Sequence, residues 1–224
     1  MNPLIGDRRV MCTFICLIAL FVATPGQAAG PRPGVERIGA LAAPEASAEV
    51  KKAVEDKGYR ILLEDGTAEF WFARALATSA KDSPGALYPE LSNGEFVAIV
   101  SYSKPTKDYR GQAIPAGTYT LRYQYLPQDA NHMGVSPNPD FLLAIPVAAD
   151  TGPADILPYK RMVALSTKTT GAAHPAVFAM GAPLEPGTVV KDEQGMTMLT
   201  VEVPTTASGK TEKLGIAVKG QASQ

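Results

Sequence analysis

The residues best equipped for chemistry are the chain's only two histidines, His132 and His174. His132 sits in Pro127-Gln128-Asp129-Ala130-Asn131-His132-Met133-Gly134-Val135-Ser136-Pro137-Asn138-Pro139-Asp140, a polar, proline-punctuated stretch between two strand-like segments, the kind of scaffolded loop in which function concentrates. His174 stands just before another strand-like run. Two imidazoles with Asp129 or Asp140 would make a nitrogen/oxygen site for a divalent metal, copper or zinc, and Met133 or Met180 could add a soft ligand for copper. The two histidines are far apart in the chain and show no ligand spacing, so the plain alternative is that each is a surface or capping histidine.

A hydrolase would need a nucleophile, a base and an oxyanion hole. Ser101, Ser103, Ser136 or Ser166 could pair with either histidine, but no Gly-x-Ser-x-Gly elbow occurs. Ser101-Tyr102-Ser103-Lys104 has the Ser-x-x-Lys spacing of penicillin-recognising enzymes, yet it ends a strand before Pro105 instead of opening a helix. Gly209-Lys210-Thr211 copies the end of a phosphate loop, but position 204 is proline where that loop needs glycine. No catalytic residue is assigned. Aromatic side chains offer a third chemistry, stacking on a sugar or a partner. Phe70, Trp71, Phe72, Tyr119, Tyr123 and Tyr125 all fall on strand-like segments, and period-two alternation puts Trp71 on the face opposite Phe70 and Phe72. In residues 118–125 the same alternation separates Tyr119, Leu121, Tyr123 and Tyr125 from Thr118, Thr120, Arg122 and Gln124, the pattern of a half-buried strand.

The elements that must position these groups are mostly strands. Apolar Ala46, Val50, Ala53 and Val54 recur at helical spacing over residues 44–57, with Pro44 and Glu45 early and Gly58 just past the end, which predicts one short N-terminal helix. After Gly58 the period becomes two. Residues 59–63 and 68–72 flank the turn Glu64-Asp65-Gly66-Thr67, and 96–102, 118–126, 141–147, 177–180, 189–191, 196–203 and 214–218 continue the pattern. Many short strands, 19 prolines and 20 glycines, and no parallel strand–helix–strand alternation predict a mainly β fold, an antiparallel β-sandwich of jelly-roll type, as a single domain over residues 35–224. Residues 150–176 read as a long connection.

The start of the chain predicts export. Arg8 and Arg9 precede an apolar run over residues 10–23, and Pro25-Gly26-Gln27-Ala28 supplies a break with small residues where a signal peptidase reads them, so residues 1–28 read as a signal peptide cleaved after Ala28. The apolar run is shorter than the roughly 20 residues needed to cross a bilayer, and no transmembrane segment is expected after it. Residues 29–34 read as a flexible linker. Both cysteines, Cys12 and Cys16, lie in the leader, so the mature domain has no thiol nucleophile, cysteine zinc cluster or thiolate copper site. Loss of Arg8, Arg9 and Asp7 takes the formal net charge from −1 to −2, which leaves no basic field for nucleic acid.

The segment Arg110-Gly111-Gln112-Ala113-Ile114-Pro115-Ala116-Gly117-Thr118-Tyr119-Thr120-Leu121-Arg122, together with Asn131-His132-Met133-Gly134 and His174-Pro175-Ala176-Val177, resembles an uncharacterised family of exported bacterial β-sandwich proteins. The likeness implies export and a β fold, and carries no activity. The leading expectation is a non-enzymatic exported binding or structural module, periplasmic or secreted, that contacts an envelope or extracellular partner through the 127–140 loop. The first alternative is a copper- or zinc-binding protein using His132 and His174, and the second is a small hydrolase.

Overall fold

The two-residue turn Glu64-Asp65 joins β2 (Gly58–Leu63) to β3 (Gly66–Phe72), and Gly66, paired with Leu63, takes φ +138 as the chain folds straight back. The structure is a computed structural model that describes residues 34–78, 83–127, 134–191, 196–207 and 209–219. The other strands are β1 (Val35–Ile38), β4 (Phe96–Tyr102), β5 (Thr106–Lys107), β6 (Ala113–Ile114), β7 (Gly117–Tyr125), β8 (Asp140–Pro146), β9 (Ala176–Gly181), β10 (Thr188–Lys191), β11 (Thr197–Pro204) and β12 (Thr211–Lys219). Ten of them join in one antiparallel sheet of order β1-β2-β3-β4-β7-β8-β9-β12-β11-β10, and β5 and β6 pair separately.

The mainly β, antiparallel class is what the alternation predicts. The expected pair of stacked sheets is replaced by one sheet that curls until it is nearly closed into a barrel. Its far walls meet inside: Phe70, Tyr123, Leu142 and Phe178 share a core with Leu199, Leu214 and Ile216. Tyr102 on β4 reaches across to stack on Phe178, ring centroids 6.1 Å apart, and donates its hydroxyl to Val218 O on β12 at 2.9 Å. Past β3, Leu76 forms a parallel bridge with Thr205, its N–H donating to Pro204 O at 2.8 Å. The gap left in the wall is a recess lined by Leu62 and Leu63 of β2 and Val189 and Val190 of β10.

The curl is sharpest where β9 passes from one wall to the other. Its first residues pair with β8 and its last two with β12, at Met180 opposite Ile216 and Gly181 opposite Gly215. A Cβ on Gly215 would lie 2.6 Å from Gly181 O, so only glycine allows this approach. Tyr88 locks the seam, donating its hydroxyl to Gly181 O at 2.6 Å and accepting the Gly215 N–H at 2.8 Å.

Among the described residues two α-helices complete the fold. Helix α1 (Ala48–Ala53) is shorter than the helix expected over residues 44–57, because Val54 already leaves it to bridge Ala73 beside β3. Ser47 caps it, accepting the Val50 N–H at 3.2 Å. Helix α2 (Tyr159–Thr170) lies within the region read as a connection; it follows Pro158 and ends at Gly171, which takes the left-handed conformation. It covers the outer face of β8 and β9, packing Met162 and Leu165 on Phe141, Leu143, Ile145 and Val177. Among the described residues no helix is long and apolar enough to cross a membrane.

The outer face of β7 departs from the half-buried pattern. Thr120, Arg122 and Gln124, expected in solvent, are buried as completely as Tyr123 on the other face. The loop after β8 folds over them and brings Asp150 against Arg122.

Candidate functional site

The site is assembled by the loop between β5 and β6. Asp108, fully buried, accepts hydrogen bonds from Gln112 N at 2.8 Å and Gln112 Nε2 at 2.7 Å, and from Val177 N at 3.0 Å at the start of β9. Tyr109 N donates to Val177 O at 2.8 Å, and Gln112 Nε2 also reaches Pro175 O at 2.9 Å. The loop therefore lies along the beginning of β9, and Arg110 comes out at its tip next to Gly111, whose φ of +78 makes the turn.

Helix α2 supplies the opposite wall. Ser166 and Thr169 donate to Ala144 O on β8 at 2.7 and 3.0 Å, and Ser166 Oγ accepts the Ala176 N–H at 3.0 Å. Beyond Gly171 the chain doubles back, with Thr170 Oγ1 donating to His174 O at 2.8 Å. Between these parts lies a cleft of about 290 Å³. Phe141, Leu143 and Val177 form its apolar base, Val135 and Pro175 its sides, and Arg110, Tyr159 and His174 supply its polar groups. All three polar residues are exposed. Among the described residues no carboxylate lines the cleft and none pairs with Arg110.

Of the four predicted metal ligands only Asp140 and His174 lie among the described residues, and these two are not brought together. His132 and Asp129 lie outside the described residues. Asp140 faces away from His174, because on β8 the residues of its parity, Leu142 and Ala144, belong to the interior core whereas Phe141 and Leu143 face the cleft. Its carboxylate is fully buried and occupied: Oδ1 accepts from Tyr123 Oη at 2.6 Å and Tyr88 N at 3.1 Å, and Oδ2 from Leu87 N at 2.6 Å. Among the described residues no group of three or more His, Cys, Asp or Glu could hold a metal ion. Burial pushes the Tyr123 and Tyr88 phenols up, and the Asp140 carboxylate adds to the shift of each.

The serines are no nearer to catalysis. Ser166 is spent on backbone groups, Ser136 Oγ donates to Asp140 O at 3.3 Å, Ser103 Oγ accepts from Thr67 N at 2.8 Å, and Ser101 meets Thr118. Among the described residues no serine hydroxyl bonds to His174. Trp71 is buried on the outer face of β3, its indole N–H donating to Gly39 O at 2.9 Å. Arg110 and Tyr159 were missed by the sequence reading; an Arg-Gly loop tip between two short strands was the available signal, and nothing local says that it docks beside His174. Comparison of the chain with protein-family models, with curated proteins and with solved structures finds no match.

Proposed function

We propose that this chain is an exported, non-enzymatic binding module whose cleft between α2 and the β5–β6 loop takes an anionic group carried on an apolar body. The carrying observation is the lining itself: a guanidinium, an imidazole and a phenol over Phe141, Leu143 and Val177, with no acid among the described lining residues. A planar guanidinium with free donors binds a carboxylate or phosphate through paired hydrogen bonds, and apolar walls hold the rest of the ligand. Gly134 and Val135, in the middle of the 127–140 loop expected to contact a partner, line the same cleft. Export rests on the pattern of residues 1–28 and agrees with the resemblance to exported bacterial β-sandwich proteins; in this reading the facing walls of the curled sheet do the scaffolding work of a sandwich. The ligand is then an acidic group on an envelope or extracellular partner.

Calorimetric titration of the purified protein with 4-phenylbutyrate, phenyl phosphate and the neutral 4-phenylbutyramide tests the reading. The anions bind and the amide does not, and Arg110→Gln weakens the anions by roughly tenfold or more, the loss of a charge-assisted hydrogen bond. Binding of the amide as tight as that of the carboxylate, or no binding of either anion, would discard it.

A further inference from the structure

A second recess lies on the outer face of β2, β3, β4 and β7, and its floor is a straight row of polar side chains. The register places Glu36 opposite Arg60, Arg60 opposite Glu69, Glu69 opposite Ser101, and Ser101 opposite Thr118. Five adjacent strands thus contribute one polar residue each to one line, with neighbours about 5 Å apart as cross-strand pairs are. Arg60 Nε donates to Glu69 Oε1 at 2.7 Å, Arg60 Nη1 to Glu36 Oε2 at 3.1 Å, and Thr118 Oγ1 to Ser101 Oγ at 3.4 Å. Glu69 Oε2 takes no hydrogen bond from any described residue.

Residues 38–43, four of them glycine or alanine, form a strap that lines the recess above this row. Trp71 fixes the strap through Gly39 O. The space between strap and row is about 200 Å³, walled by the Trp71 indole and floored by Arg60, Glu69, Ser101 and Thr118.

We propose that this recess is a saccharide-binding subsite that takes a single pyranose ring. The row alternates a donor, an acceptor and two hydroxyls that do both, which suits a ligand whose own hydroxyls donate and accept around a ring. Arg60 is already paired with two carboxylates, Glu36 and Glu69, so the recess gives an anion no attraction, in contrast to the cleft at Arg110. Its volume of about 200 Å³ is below the roughly 300–1,000 Å³ of sites for larger ligands.

Trp71 is the chain's only tryptophan, so intrinsic fluorescence reports on this recess directly. The full protein is titrated with glucose, galactose, mannose and N-acetylglucosamine into the tens of millimolar, with saturation-transfer NMR as a second readout. At least one sugar shifts the Trp71 emission saturably. Glu69→Gln and Thr118→Val each weaken that sugar by roughly tenfold, while 4-phenylbutyrate binding at the cleft is unchanged in both. Thr118→Val keeps the β-branched shape on the strand, so it tests the hydroxyl even if Glu69→Gln disturbs the Arg60 pair. Absence of a saturable signal with all four sugars, or a sugar affinity unchanged in both variants, would overturn the proposal.

Discussion

Two arginines in this molecule are used in opposite ways. Arg122, fully buried on β7, has all five donors engaged: Nε and Nη2 hold Asp150 at 2.7 and 2.8 Å, Nη1 reaches Gly94 O and Asp155 O, and Nη2 reaches Gly152 O. Arg110, exposed at a loop tip, engages no described carboxylate. Taking a charge out of water is tolerated only when it is paired and its remaining protons are satisfied. Arg122 meets that condition and in doing so ties the loop after β8 to the barrel wall; it has nothing left for a ligand. Arg110 keeps its donors for one. Side-chain type is the same in both places, and the state of its hydrogen bonds separates scaffold from site.

The largest effect should come from opening the buried pair. Asp150→Asn leaves the guanidinium without its counter-charge and is expected to cost about 3–5 kcal/mol, read as a shift of the urea unfolding midpoint. The double change Arg122→Met with Asp150→Leu should recover part of that loss, since neither charge then stays behind, while the Gly94, Gly152 and Asp155 carbonyls and the Thr120 hydroxyl lose a partner. A single variant within a few tenths of a kcal/mol of the native protein would mean that water reaches the pair, and the contrast between the two arginines would fail.

Next in size is the polar knot inside the barrel. Tyr123→Phe removes the 2.6 Å donor to Asp140 and is expected to cost about 1–3 kcal/mol. The same interior sets an alkaline limit. Burial raises the Tyr88, Tyr102 and Tyr123 phenols above their ordinary value near 10. The unfolded chain gives up these protons first, so their contribution to stability is complete below about pH 10 and declines as pH rises beyond it. A phenolate absorbance titration of the eight tyrosines should show these three silent until the protein unfolds. Smooth ionisation of all eight in the folded state would show that the interior is wet.

The alternation of apolar residues was enough to place most strands, because period two survives wherever one face is core. It could not say that β7 is covered on both faces, since Thr120, Arg122 and Gln124 look like solvent residues until Asp150 is seen to fold over them. Helix α2 was hidden by Ser166, Thr167, Thr169 and Thr170, poor helix formers whose hydroxyls offer the backbone alternatives; here Ser166 and Thr169 bond instead to Ala144 O on the sheet beneath. Pro158 and Gly171 were its legible ends. His174 was legible as a candidate by scarcity alone. Its neighbour Arg110 depends on Asp108 reaching Val177, a contact between distant parts of the chain that no local pattern encodes.

The smallest expected stability change is also the sharpest test of the comparison. Arg110→Gln removes a charge from a loop tip whose fold is held by Asp108 and Gln112, not by the arginine, so the unfolding midpoint should move by no more than about 0.5 kcal/mol. The same substitution at Arg122 strands Asp150, which is 2% exposed, and should cost several times more. Equal losses at the two positions would show that Arg110 carries structure through contacts of its apolar stem over the cleft. A null effect at 110 beside a large one at 122 would show that the Arg110 donors contribute nothing to the fold, which is the condition the proposed anion site sets.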